Sequence, residues 1–299
     1  MPTHRFSRPG ARSAATAAAV LALSLALTAC AGPTAPESAA AESASPDTAL
    51  SHIHGVGLRD GVLYVATHQG LHSPGPDGRP VLVGDRRDDF MGFTIAPDGT
   101  FLASGHPPSG GDGPADLGLI ASTDSGRNWR EKSLAGEVDF HSLDTSGGTV
   151  YGYDSARGLL RVTRDQVAWE DRAALRALDI AVSPADPGTV LATTERGVVR
   201  STDGGRTFSP GNGRILAHLS WGTADALYGI DPDGVLFRSA DGGGDWTRVG
   251  TVPGGAPQAL TAVDARRLLV ATGDGVYESR DAGHTFERRM AVTSGKEHH

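Results

Sequence analysis

An eight-residue pattern, S-x-D-x-G-x-x-(W/F), occurs four times in this chain of 299 residues. Successive copies are separated by about forty residues or by twice that distance. A supersecondary unit repeated at this period is typical of blades arranged in a ring or of a solenoid. The defining positions of the copies are Ser122, Asp124, Gly126 and Trp129; Ser201, Asp203, Gly205 and Phe208; Ser239, Asp241, Gly243 and Trp246; and Ser279, Asp281, Gly283 and Phe286.

The chemistry of the repeat predicts a tight hairpin turn rather than a ligand site. Glycine adopts the positive φ angles that such a turn requires. The serine and aspartate oxygens accept hydrogen bonds from backbone N–H groups of the same turn. The aromatic ring is expected to be buried, which contributes about 1.5–3 kcal/mol. A calcium loop is the alternative, but the repeat lacks the successive oxygen ligands and the late glutamate of an EF-hand.

Each copy follows a glycine and a short apolar run, such as Gly197-Val-Val, and two further short apolar segments precede that run. Regularly spaced short strands separated by Gly, Pro and Asp turns indicate an antiparallel all-β fold. Two degenerate copies, around Ser73 and Thr163, complete a series of six. The sequence therefore predicts a six-bladed β-propeller of four-stranded blades. The predicted blades are Leu50–Arg86, Arg87–Gly136, Glu137–Leu175, Arg176–Arg214, Ile215–Gly254 and Gly255–Ser294. The one helical turn we expect is at Ala173–Ala177.

The repeat resembles the Asp box, or bacterial neuraminidase repeat, of sialidases, sortilin-type receptor domains, some xyloglucan-active hydrolases and photosystem assembly factors. The resemblance spans residues 51–294, and it implies the propeller fold more strongly than any activity. The chain also resembles bacterial envelope proteins labelled glycosyl hydrolase or exo-α-sialidase-like. The segments that carry this second resemblance are His52-Ile-His54-Gly55, Ala66-Thr67-His68, Met91-Gly92-Phe93-Thr94, Ser104-Gly105-His106-Pro107 and Asp139-Phe140-His141.

The amino terminus has the outline of an export signal. Residues 1–29 begin with three arginines and continue with an apolar run of about fourteen residues, which is too short for a spanning helix. The stretch Leu27-Thr28-Ala29-Cys30 resembles a bacterial lipobox, which implies lipidation of Cys30 and anchoring on the outer face of the cell membrane. A plain signal peptide is the alternative. Residues 30–49 are rich in Ala, Ser, Pro and Glu, and we expect a disordered tether there, followed by one propeller domain over residues 50–299.

Composition excludes some classes of partner. The residues after the signal carry a formal net charge of about −11, because the signal holds three arginines and no acidic residue. An acidic chain lacks the basic footprint of a nucleic-acid-binding protein, so we expect no nucleic-acid partner. Cys30 is the only cysteine, so no disulfide can form within one chain. We expect a monomer stabilised by packing.

Five of the eleven histidines are predicted to share one face. If the innermost strand of each blade lines the central channel and the Asp box joins the two outer strands, then the remaining loops lie together on the opposite face. Function usually resides on loops held by a rigid scaffold. Neutral imidazoles bind Zn, Cu, Ni or Fe, and carboxylates can complete the shell, so we predict a divalent transition-metal cofactor. For any one histidine, a hydrogen bond to backbone is the simpler explanation. The candidate ligands are His52, His54, His68, His106 and His141.

Glycoside hydrolysis is the second hypothesis for the same face. Such enzymes use two nearby carboxyl groups, one with a raised pKa. The candidates here are Asp89, Glu137 and Asp139, beside Asp88 and with Arg86 or Arg87 to hold an anionic sugar. The chain departs from true sialidases, however: their Arg-Ile-Pro segment is absent, and neither three channel-lining arginines nor a Tyr–Glu nucleophile pair can be placed.

A non-enzymatic role is the third hypothesis. A tethered propeller with no recognisable catalytic set could bind an envelope protein or glycan through the same loop face. The sequence thus favours a lipid-anchored propeller that binds a ligand, through a His/carboxylate cluster opposite the Asp boxes, with a sialidase-like glycoside hydrolase as the alternative.

Overall fold

The computed structural model describes residue 50, residues 52–108, residue 110 and residues 113–292. The signal segment, Cys30 and the tether lie outside the described residues. The described residues form twenty-three strands, and none of them forms a helix that could span a membrane. The chain is therefore all-β over the part that the structure describes, as the spacing of the repeats predicts.

The strands form six antiparallel sheets, each made of strands consecutive in sequence. We number these sheets as blades 1 to 6. Blade 1 contains β1 (Ile53–Arg59), β2 (Val62–Thr67), β3 (Gly70–Pro74) and β4 (Pro80–Leu82). Blade 2 contains β5 (Asp89–Ile95), β6 (Phe101–His106), β7 (Leu119–Ser122) and β8 (Arg130–Ser133). Blade 3 contains β9 (Phe140–Ser146), β10 (Thr149–Asp154), β11 (Leu159–Thr163) and β12 (Glu170–Ala174).

The second half of the ring repeats this order. Blade 4 contains β13 (Ile180–Val182), β14 (Val190–Thr194) and β15 (Gly197–Ser201). Blade 5 contains β16 (His218–Trp221), β17 (Leu227–Ile230), β18 (Val235–Ser239) and β19 (Thr247–Thr251). Blade 6 contains β20 (Pro257–Ala262), β21 (Leu268–Thr272), β22 (Gly275–Ser279) and β23 (Glu287–Ala291).

The first strand of every blade packs against the first strand of the next, and β1 packs against β20, so the ring is closed. These inner strands surround a central channel with a volume of about 820 Å³. The prediction of a six-bladed β-propeller is confirmed.

Two local expectations are wrong. Blade 4 has three strands instead of four, because residues 209–214 make only irregular hydrogen bonds to β15: the Ser209 and Asn212 N–H groups, three residues apart, donate to the carbonyls of Arg200 and Val198. The expected helical turn at Ala173–Ala177 is absent, because β12 runs to Ala174 and an irregular segment follows.

The ring closes without an exchanged strand among the described residues, since each sheet is contiguous in sequence. Blades 1 and 6 are joined instead by side chains. The Ile53 N–H donates to Gln258 Oε1 (2.9 Å), and Thr261 Oγ1 donates to the Val56 carbonyl (2.6 Å). Leu50 is buried in one hydrophobic cluster with Met290 and other residues of both blades.

The repeated S-x-D turns have the hydrogen bonds that their residue types predict. Ser201 Oγ donates to Asp203 Oδ1 (2.7 Å) and accepts from the Gly205 N–H (2.8 Å). The side chain and the N–H of Thr207 bond to the Asp203 carboxylate and, with Ser201, hold its pKa below the usual range. Phe208 packs against the core between blades 3 and 4. The carboxylate is thus saturated by the turn itself and has no need of a ligand.

Burial of His72 gives a testable dependence of stability on pH. Burial lowers the pKa of this histidine to about 4, with the Gly70 carbonyl acting in the opposite direction. Because the unfolded chain binds a proton near pH 6.5 and the folded chain does not, this part of the stability is present above pH 6.5 and is lost as pH falls towards 4. The difference amounts to about 3 kcal/mol at 1.36 kcal/mol per pH unit.

We therefore expect His72→Gln to flatten the fall in unfolding free energy between pH 6.5 and 4, measured by urea denaturation. His284→Gln, at an exposed position in the last repeat turn, is the matched control. A His72→Gln profile as steep as that of the parent would contradict this account.

Candidate functional site

β-Bulges at one end of the channel direct side chains into it. In β1, the register skips from Ile53 to Gly55, which leaves His54 unpaired; in β5 it skips from Phe90 to Gly92. The pairing of β9 skips His141 in the same way. A bulge bends its strand and re-aims the extra residue. His54, Met91 and His141 consequently line the channel mouth on three successive blades.

His54, His68 and Asp89 form a compact group at this mouth. One donor atom from each residue lies within 4.8 Å of the other two. His68 Nδ1 is 2.9 Å from Asp89 Oδ2, and the imidazole rings of His54 and His68 have centroids 4.7 Å apart. His54 Nε2 and Asp89 Oδ1 are buried without a hydrogen-bond partner. A cation bound by this group would satisfy these two buried atoms.

The charge state of His54 suits a metal ligand. Burial lowers its pKa to about 4, and His68, His141 and His52 lower it further by repulsion, whereas Asp139 opposes the change. His54 is therefore neutral at physiological pH, with a lone pair on one ring nitrogen. Neutral imidazole is the form that coordinates metals.

Asp139 holds a second pair of histidines beside this group. Its Oδ2 lies 2.6 Å from His141 Nε2 and 3.1 Å from His106 Nε2. Its side chain is only 8% exposed, and Oδ1 is buried without a partner. This carboxylate thus has an unused acceptor atom in a place that water does not reach.

His106 is fixed from its other side by the insert of blade 2. Nδ1 lies 3.1 Å from the Ala115 carbonyl and 3.2 Å from Asp116 Oδ1. Burial opposes protonation of His106, but the Ala115 carbonyl and the carboxylates of Asp139, Asp116 and Asp89 together raise its pKa. The imidazole therefore bridges two acidic groups.

Three of the five histidine candidates, His68, His106 and His141, contact a carboxylate, and the ring of His54 lies against that of His68. His52 lies at the edge: it is exposed, and its ring centroid is 5.1 Å from that of His68. Asp89 and Asp139, which the sequence offers as catalytic carboxylates, both pair with histidine. Glu137 is exposed and forms no ion pair with the described residues.

Sequence reasoning missed Asp116 as a member of the cluster. The signal was available, because the insert that follows His106 ends at Asp116 and must return to β7. Of the two basic residues proposed to hold an anionic sugar, Arg86 pairs with the buried Asp88.

Comparisons with known proteins identify the fold. No protein-family model matches the sequence, and a comparison with curated proteins finds no match. Among solved structures, a putative gluconolactonase has a TM-score of 0.59 at 11% identity, with 82% of this chain and 91% of that one covered. A catalytically inactive virginiamycin B lyase from Staphylococcus aureus has a TM-score of 0.54 at 13% identity, with coverage of 84% and 87%.

A GH74 enzyme from Niastella koreensis has a TM-score of 0.56 at 13% identity, with 80% of this chain covered. The chain spans only 37% of the length of that enzyme. At these identities the likeness concerns the fold alone, because unrelated activities share one scaffold. The chain is a β-propeller. Any statement about its function must be based on the histidines and aspartates at its channel mouth.

Proposed function

We propose that this protein is a β-propeller that binds a divalent transition-metal ion through His54, His68 and Asp89, and that the ion forms part of a ligand-binding site at the channel mouth. The observation that carries the proposal is the pair of buried, unpartnered donor atoms, His54 Nε2 and Asp89 Oδ1, in a group whose donor atoms converge within 4.8 Å. Two imidazoles and one carboxylate are a ligand set that Zn²⁺ uses in proteins.

His54 of this group lines the channel, from which a ligand can approach. Three protein ligands leave a coordination position for water or for a donor atom of a bound molecule. A small molecule, an envelope glycan or a protein side chain with an oxygen or nitrogen donor fits this chemistry. The lipobox-like segment before Cys30 supports a location on the outer face of the cell membrane, with the propeller held by a lipid anchor and a tether.

Metal analysis of untagged protein tests the proposal. We expect the parent to retain metal through gel filtration and His54→Ala to lose the ion held by this group, because loss of a ligand exceeds the 10–100-fold cost in affinity of losing an outer-shell partner. The measurement is elemental analysis by mass spectrometry after loading with Zn²⁺.

His218→Ala is the matched control, because His218 lines the same channel but lies near Asp179 on another blade. We expect this variant to keep the parental metal content. A parent that retains no metal, or equal retention in His54→Ala, would remove the proposal.

Glycoside hydrolysis is the second candidate, and one observation favours it. Asp139 Oδ2 lies 3.1 Å from His106 Nε2, and Asp89 is the cross-strand partner of His106, so two carboxyl residues flank one histidine; glycosidases use two carboxyl groups. We expect any turnover of a panel of chromogenic glycosides, including a sialoside, to fall by about 100-fold or more in Asp139→Asn. If the parent hydrolyses none of them, the metal-binding proposal stands without this activity.

A further inference from the structure

We propose that the channel mouth holds a second metal centre, formed by His106, His141 and Asp139, so that the propeller binds two divalent transition-metal ions side by side. This inference rests on the proposed function, because it places the new centre next to the first. It assigns to Asp139 and its two histidines a role that their pairing alone does not explain.

The short distances from the two imidazoles to Asp139 are the first observation that supports a second centre. His141 Nε2 and His106 Nε2 lie 2.6 Å and 3.1 Å from one carboxylate oxygen. Donor atoms around one four-coordinate ion, with bonds of about 2.0–2.1 Å, lie roughly 3.3 Å apart. Each imidazole nitrogen is thus about as far from the carboxylate oxygen as two ligands of one ion are, whereas the two nitrogens must approach each other to share an ion. Both imidazoles are more than a third exposed, so their rings have room to adjust around an ion.

The second supporting observation is a carboxylate oxygen of Asp139 that forms no hydrogen bond. Oδ1 has no hydrogen-bond partner, although the side chain is more than nine-tenths buried. An unpartnered carboxylate oxygen in such a place is destabilising, because it has lost its hydration without gaining a hydrogen bond. A cation beside the carboxylate removes that cost and also relieves the demand that one oxygen accept from two imidazoles.

The third supporting observation is the contact between His106 Nδ1 and the Ala115 carbonyl. The Ala115 carbonyl can only accept, so it requires a proton on His106 Nδ1. That proton leaves the Nε2 lone pair free for a metal once the ring is neutral. A histidine that coordinates through one nitrogen and donates its other N–H to a carbonyl or carboxylate is the usual arrangement at metal centres.

The register of blade 2 places the two centres next to each other. Asp89, of the first centre, is the cross-strand partner of His106, of the second. Directly opposed residues in antiparallel strands have Cα atoms about 4.5–5.5 Å apart. Two ions held by neighbouring residues would favour a ligand with an oxyanion, such as a carboxylate or a phosphate.

Metal stoichiometry tests the inference. All variants are made in untagged protein in which the terminal His298 and His299 are replaced by alanine, so that this pair contributes nothing. Metal-free protein is titrated with Zn²⁺ by calorimetry, and the ion content is checked by elemental analysis. We expect about two Zn²⁺ per chain for the parent and about one for either His68→Ala or His141→Ala.

Further variants test whether each centre binds its own ion. His106→Gln, at a half-exposed position, should also bind about one ion, and the pair His68→Ala with His141→Ala should bind none. His284→Ala, in a turn at the opposite end of the propeller, should retain both ions. Circular dichroism identifies any variant that fails to fold.

Failure of the second centre and failure of the proposed function give different metal contents. One ion in the parent, kept by His141→Ala and lost by His68→Ala, overturns the second centre and leaves the proposed function intact. Two ions that persist when both His106 and His141 are replaced overturn the assignment of these residues. No bound ion in the folded parent overturns both proposals.

Discussion

Gly105→Ala is expected to lower the free energy of unfolding by about 3 kcal/mol or more and to abolish metal retention. A methyl group at this position would lie 1.8 Å from the Asp89 carbonyl oxygen, and the residue has a φ of +147° that alanine rarely adopts. Because the obstacle is backbone, β5 must move away from β6. Asp89 and His106, which flank the contact, would move with it.

Urea denaturation and metal analysis of the same preparation measure both effects. Gly273→Ala is the control, since an added Cβ there would meet only the Gly254 carbonyl at an ordinary 3.7 Å. We expect the control to change neither quantity by much. Equal losses in the two variants would mean that close approach of β5 and β6 is not what holds the site.

Leu50→Ala is expected to destabilise the protein by about 2–5 kcal/mol, the usual cost of an unfilled leucine cavity. Leu50 is 2% exposed and packs with residues of blades 1 and 6, where the ring closes. With no exchanged strand in the described part of the chain, side-chain packing carries a large share of this closure.

The comparison is with Leu178→Ala, because Leu178 is 60% exposed and should lose less than about 0.5 kcal/mol on truncation. Thermal or urea unfolding measures the loss of stability in both variants. A Leu50→Ala protein as stable as Leu178→Ala would show that the closure does not depend on this residue.

The repeat was sufficient to predict the architecture, because its physics is local. A serine, an aspartate and a glycine at fixed offsets satisfy one another within a single turn, so the same turn forms wherever they occur. Four such turns and two degenerate ones, spaced by about forty residues, then determine the number of blades. Blade 4 departs from the pattern at residues 209–214, where the pairing with β15 is irregular, and the period alone does not reveal this.

The site was only partly predictable from the sequence. Strand ends placed His54, His68, His106 and His141 on one face, because alternate hairpins of an antiparallel sheet lie on the same side. Which carboxylates they meet depends on the bulges at His54 and His141, and these shift the register by one residue without a sequence signature. Asp116 joins from an insert whose path depends on tertiary packing.

The contiguity of each sheet has a consequence for how this chain tolerates rearrangement. Leu50 and Val292, at the two ends of the described fold, belong to the same hydrophobic cluster. A circular permutant that joins these ends and opens at Arg176, between β12 and β13, would cut a connection and no sheet. We therefore expect the same ring to form when blades 4 to 6 precede blades 1 to 3 in the sequence. Blades 1 to 3, which carry the candidate histidines, would stay together in such a permutant.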